Sequence, residues 1–246
     1  MKRIALFISV GLLLLIVSSC KKETTTVDTA LIEAYSPLIV GKYITYQMDS
    51  LVSINFGAAM ETHTYQVKYV VDAAITDGDD RPSYRIIRYR HISGNTWQSD
   101  ATFLATATSN GLEFVENNLR YIKLRLPIRE GYSWSGNTHI DTYSINSEVK
   151  YLADWDYTYE NVAQPEMIGN YDLEDVITVN QRDEIIGNPA DPNSYSEVNY
   201  GLEKYARGIG MVYRKFLHTE YQPPTGGDGH FAEGSYGVTL TMIDHN

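Results

Sequence analysis

The chain has 246 residues, with 31 acidic against 20 basic side chains and a formal net charge of −11 at pH 7. That balance argues against nucleic acid as a partner, because such binding rests on neutralising phosphates with Lys and Arg. It also argues against electrostatic docking on anionic lipid, and the length admits one large all-β domain or two small ones.

The chain opens on Lys2 and Arg3, followed by an apolar and small run from Ile4 to Val17, then Ser18, Ser19 and Cys20. A positive start, an apolar centre and small residues before a cut make a secretory signal, here ending at a thiol. The apolar run is shorter than the roughly 20 residues a spanning helix needs. Cys20 is the only cysteine, so an exported chain has no internal disulfide to make with it. The segment resembles the lipobox of bacterial lipoproteins. That resemblance implies cleavage between Ser19 and Cys20, a thioether lipid on Cys20 and an acylated (palmitate-type) amino terminus, so that several chains insert and release is slow. It implies an outer-membrane lipoprotein, because Lys21 rather than aspartate follows the cysteine. The choice between the periplasmic and the outer face stays open. Residues 1–19 are therefore read as signal peptide, 20–34 as the lipidated cysteine with a flexible polar tether, and 35–246 as one antiparallel β domain. Removing residues 1–19 takes away Lys2 and Arg3 and makes the chain more acidic still.

Twenty tyrosines stand against six phenylalanines, which suits pleated, half-wet strands. Thr29–Tyr35 reads as a helical turn or a loop onto the domain. Strands are expected from Tyr43, over Thr62–Ile75 and back over Ser83–Ile92, with Thr76–Pro82 as the turn. Arg85, Arg88 and Arg90 on the return strand suit a solvated or edge face. Trp97–Thr108 and Gly111–Val115 are further strands. Leu119–Leu126 alternates, with Ile122, Leu124 and Leu126 on one side and Tyr121, Lys123 and Arg125 on the other. Tyr143–Ala153 and Asp154–Val162 read as strands or one bent strand, Pro165–Tyr171 as a loop and Glu174–Gln181 as a β-branched strand. Gly201–Ile209, Gly210–Tyr221 and Tyr236–Ile243 close the series, with Pro223–Gly234 as a loop. The fold expected is all-β, a single antiparallel sheet system of roughly eleven strands after a signal helix, shaped as a curved half-barrel or a β-sandwich.

Pro37–Tyr43 and Pro127–Trp134 share a pattern of Pro, aliphatic, two residues, Gly and an aromatic strand. An internal duplication and a recurring turn at the entry to a sheet both account for it. Together with Glu203–Tyr213, these segments resemble uncharacterised lipoproteins of the Bacteroidota over most of residues 35–246. The resemblance brings no assigned activity. A general similarity to open half-barrel carriers of lipidated proteins is one of architecture, which does not fix function.

No catalytic signature emerges, and the reading is of a non-enzymatic protein with no cofactor and no metal. The chain has no Gly-x-Ser-x-Gly. His218-Thr219-Glu220 puts two ligand types on one strand face, a pattern frequent by chance. Asp77, Asp79 and Asp80 around Gly78 miss the calcium-loop spacing and read as a hairpin turn. Asp154 and Asp156 can share a strand face, as can Glu113 with a neighbour, but among 31 acids a sequence-local pair does not establish the two opposed carboxylates that glycoside chemistry needs. Trp97, Trp134 and Trp155 are the candidate platform for a glycan, with burial in the core as the alternative. Binding or scaffolding is the first expectation. The second is an apolar small molecule held in a half-barrel groove lined by Ile, Leu, Val and Tyr. The third is a glycan-binding or glycan-active surface protein.

Overall fold

The structure, a computed structural model, describes residues 30–246. The signal segment, the Ser19–Cys20 cleavage site and most of the tether lie outside the described residues. A short helix α1 (Ala30–Tyr35) precedes thirteen strands. They are β1 (Tyr43–Ile54), β2 (Ala59–Thr76), β3 (Pro82–Ser93), β4 (Thr96–Thr108), β5 (Gly111–Glu116), β6 (Leu119–Arg125), β7 (Ser133–Ser135), β8 (Asp156–Ile168), β9 (Tyr171–Gly187), β10 (Ser196–Ala206), β11 (Gly210–Gln222), β12 (His230–Phe231) and β13 (Tyr236–His245). Twelve of them run in the order β6-β5-β4-β3-β2-β1-β13-β11-β10-β9-β8-β7, and β12 pairs with β11 beside this path. All the pairings are antiparallel.

The ends of this path meet, so the sheet curls into a nearly closed barrel rather than a sandwich. At the seam the Ile122 N–H donates to the Gly136 carbonyl at 2.8 Å. The Trp134 indole N–H donates to the Ile122 carbonyl, also at 2.8 Å. The Tyr159 hydroxyl accepts from the Arg125 N–H at 2.8 Å and donates to the Arg125 carbonyl at 2.9 Å. Strand β7, three residues long, pairs with β8 but makes no ladder with β6, and aromatic side chains satisfy backbone groups of β6 that would otherwise be left without partners.

The chain is two successive meanders of the same sense, β1–β6 and β7–β13. Each is entered by the same turn. The Lys42 N–H bonds the Ile39 carbonyl at 2.9 Å, and the Tyr132 N–H bonds the Arg129 carbonyl at 3.1 Å. The glycine at the third position has φ of +91° at Gly41 and +72° at Gly131, the left-handed conformation that a type II turn requires there. Each glycine N–H then bonds the neighbouring strand, Gly41 to Val71 at 2.8 Å and Gly131 to Tyr159 at 2.9 Å. The turn chemistry shared by the two Pro-to-aromatic segments is thus realised in full.

Several expectations are corrected. Of the two readings of Thr29–Tyr35, the helical one holds from Ala30, and α1 packs onto the barrel with Ile32 and Tyr35 buried. Tyr143–Ala153 is an irregular segment ending in a 3-10 turn at Lys150–Leu152. Its backbone is held by side chains such as Asp141, which accepts from the Tyr143 and Ser144 N–H groups. Pro165–Tyr171 is not a loop, since β8 continues to Ile168 and turns tightly into β9. Arg85 is exposed and paired with Asp72, but the Arg88 guanidinium lies against the Phe103 ring and bonds Asp100 at 2.7 Å.

Candidate functional site

The candidate site is the barrel interior. Aromatic side chains fill much of it: Trp134, Trp155, Tyr157, Tyr159, Tyr205 and Phe216 belong to the main core cluster. Gly201 makes room for one of them, because a Cβ there would come within 2.8 Å of the Trp155 ring. What stays open is divided by charged side chains.

Lys123 on β6 is 5% exposed and Glu203 on β10 is 0% exposed. The Lys123 Nζ donates to Glu203 Oε1 at 2.6 Å across the interior. The Tyr205 hydroxyl donates to the other carboxylate oxygen at 2.7 Å. Arg214 on β11 lies with its Nε 3.7 Å from Glu203 Oε1, and its Nη1 donates to Glu116 Oε2 on β5 at 2.8 Å. Two cations and two carboxylates form a neutral quartet, in which each buried charge has an opposite neighbour. Burial pushes the Glu203 carboxyl up, but the Lys123 ammonium and the Arg214 guanidinium outweigh it and hold it below the ordinary glutamate range. Burial also raises the Tyr205 hydroxyl, and Glu203 adds to this. Tyr69 is pushed up to about 12, first by burial and then by Glu116.

On the α1 side of the quartet lies a cavity of about 110 Å³. Leu38, Ile44, Val71, Ile86, Leu112 and Met211 form its walls, and Ser36, Pro37 and Lys42 stand at one end. Glu116, Lys123, Glu203 and Arg214 form its floor with Tyr46, Tyr69 and Tyr205. On the other side is a wider, more polar cleft of about 660 Å³, lined by Arg88, Asn117, Tyr121, Asn146, Glu148, Tyr151 and Tyr236 among others. The two spaces share Glu116 and Arg214. That ion pair therefore partitions the barrel.

The residues singled out in the sequence lie mostly elsewhere. Trp134 and Trp155 are 6% and 1% exposed. Their indole N–H groups are spent on the Ile122 and Tyr151 carbonyls, so neither presents a face to a glycan. Trp97 is half-buried on the barrel wall, with the Lys68 ammonium 4.8 Å from its ring centre and the His91 ring 5.0 Å away. The three tryptophans form no common platform. The His218 ring stacks on Tyr151 at 3.7 Å, and its Nδ1 bonds Asn199 at 2.8 Å. Glu220 accepts instead from Gln222, and among the described residues no group of three or more His, Cys, Asp and Glu is placed to hold a metal. Asp154 accepts from the Tyr143 hydroxyl at 2.6 Å, and with Asp156 it lines a shallow acidic cleft on the outer face. Asp77 closes its turn onto Arg81 at 2.7 Å.

Sequence reasoning missed the quartet. Lys123 sits in a clean alternation on a side that looks polar, and Glu203, Arg214 and Glu116 lie on three other strands. Only closure of the barrel brings them together. The one local signal was Glu203 on the strand side it shares with Gly201 and Tyr205.

No family model matches the sequence, and no curated protein matches it. Among solved structures the chain overlaps a crystal structure provisionally named an outer membrane lipoprotein-sorting protein domain, from Vibrio parahaemolyticus. The identity is 13%, over 84% of this chain and 85% of that one, with a TM-score of 0.21. A superposition this loose transfers neither fold detail nor function, and the reading of this chain rests on its own geometry.

Proposed function

We propose that the chain is a non-enzymatic binding protein of the bacterial cell envelope. It is held at the outer membrane through lipid on Cys20 and takes a slim apolar group into the α1-side cavity of its barrel. The observation that carries the binding reading is that cavity: aliphatic walls leading to a polar floor in which every charge is already paired. Paired charges do not demand a counter-ion from the ligand, so burial of apolar surface supplies the affinity. The size sets the class. An apolar cavity of roughly 150 Å³ takes a benzene-sized guest, so about 110 Å³ suits the end of one alkyl chain or a small ring, not a bundle of acyl chains. The tyrosine hydroxyls at the floor accommodate one uncharged hydrogen-bonding group. The anchoring and the envelope location rest on the signal segment alone.

The test is a titration of the protein with n-alkanols of increasing length, followed by NMR. Affinity should rise about fourfold per methylene, at roughly 0.8 kcal/mol each, and then level off when the cavity is full. Ala105, buried and lining the cavity, becomes the plug in Ala105→Phe, which should abolish binding while the circular dichroism of the fold persists. Equal binding by Ala105→Phe, or no length dependence in the native protein, refutes the proposal.

A further inference from the structure

We infer that the cleft on the far side of the quartet is a second and separate binding site, and that its ligand is a short neutral saccharide. Three observations carry this. The first is size: about 660 Å³ lies within the range of roughly 300–1,000 Å³ typical of small-molecule sites.

The second is a rigid aromatic wall. The Tyr151 ring is stacked on His218 at 3.7 Å, and the Tyr236 ring on Phe216 at 5.0 Å. Each phenol is therefore backed by another ring and held in place before any ligand arrives. Tyr121 adds a third ring to the lining.

The third is unspent hydrogen-bonding capacity around those rings. Asn117, Asn146 and Glu148 are exposed and line the cleft. Among the described residues their side chains, like the Tyr121 hydroxyl, make no hydrogen bond to protein. A purely apolar guest would strip water from these groups without replacing it, which costs free energy. A polyol replaces that water bond for bond while its ring faces lie on the tyrosines.

Charge sets the rest of the class. Arg88 is paired with Asp100 and Arg214 with Glu116, which leaves Glu148, among the described residues, as the unpaired charge of the lining. An anionic sugar is disfavoured, and a neutral one is accepted. This site stands independently of the apolar cavity, since the two have only the Glu116–Arg214 partition in common. It also differs from a tryptophan platform, because tyrosines at the barrel end supply the stacking surface.

The experiment uses the full chain in a sugar-free zwitterionic detergent, titrated with maltotriose, cellotriose and chitotriose, with glucuronic acid as the anionic control. Calorimetry gives affinity, and saturation-transfer NMR gives the contacting protons. At least one trisaccharide should bind saturably and the anionic control should not. Tyr121→Ala should weaken binding about tenfold and Asn146→Ala, on an exposed loop, about threefold. Both variants should bind n-alkanols as the native protein does. Absence of binding by all three trisaccharides at millimolar concentration overturns the inference. So does binding that Asn146→Ala and Tyr121→Ala both leave unchanged, or displacement of the sugar by an n-alkanol.

Discussion

Replacing Lys123 by methionine tests the partition directly. The side chain keeps its length, but Glu203 remains charged at 0% exposure. Removing one partner of a buried pair costs about 3–5 kcal/mol. Here the lower end applies, because the Tyr205 hydroxyl at 2.7 Å and the Arg214 guanidinium at 3.7 Å stay with the carboxylate. About 3 kcal/mol in a domain of this size lowers the melting temperature by about 6–12 °C. The double variant Lys123→Met with Glu203→Leu removes both charges and leaves Arg214 paired with Glu116, so it should lie within about 2 kcal/mol of the native protein. The sign with pH follows from Glu203. Its carboxyl is held below the ordinary glutamate range, so the pair's contribution is present above that range and is lost as pH falls through the depressed folded value. The gap between Lys123→Met and the native protein should narrow in acid. Urea unfolding at a series of pH values gives all three quantities. A single-variant cost below about 1 kcal/mol, or a double variant as unstable as the sum of the two singles, would refute a buried, mutually supporting quartet.

Further outcomes concern the signal segment and the packing of the barrel. Cys20→Ala should accumulate as unlipidated precursor, read by mass spectrometry of the N-terminal peptide; normal processing and membrane retention would remove the anchor from the proposed function. Trp155→Ala should cost about 3–5 kcal/mol in unfolding free energy, whereas Trp97→Ala, half-buried on the wall, should cost about 1 kcal/mol or less. Tyr35→Phe removes the 2.5 Å bond to Asp175 that ties α1 to the barrel and should speed amide exchange in α1 before any other element. The native Tyr35 hydroxyl, pushed up to about 12 chiefly by burial, should stay protonated through pH 10. Asp77, held at about 2 against an ordinary 3.8 by hydrogen bonds from the Arg81 side chain and backbone, stabilises the fold above pH 3.8 and loses that contribution as pH falls towards 2. Carboxyl NMR should show this midpoint, and Arg81→Ala should move it upward.

The sequence by itself determined the class of this protein and the punctuation of its chain. Alternation in Tyr65–Val71 and Leu119–Leu126, the Asp-Gly turn at Asp77–Gly78 and the two Pro-to-aromatic entries are local signals, and local backbone physics answers them with strands and turns close to where they were expected. The recurrence of one turn at the two sheet entries was legible, while its type II geometry at Gly41 and Gly131 came from the structure. The run into Cys20 is likewise read along the chain alone, and the address it leads us to propose lies outside the described residues. What the sequence could not give was anything that depends on which strands become neighbours. Its alternation puts Lys123 on the polar side of a strand, and nothing within ten residues says that this side faces the inside of a barrel. Glu203 and Arg214 become its neighbours only because β6 curls round to meet β7, and the seam that allows this is built from Trp134 and Tyr159, whose indole and phenol stand in for the ladder bonds that β6 and β7 do not make. The same closure buries Trp134 and Trp155 and leaves Tyr121, Tyr151 and Tyr236 around an open cleft. Strand pairing is a long-range choice made by the sum of many weak contacts, and tertiary structure alone decided which tyrosines became core, which became lining and where the charges of the interior meet.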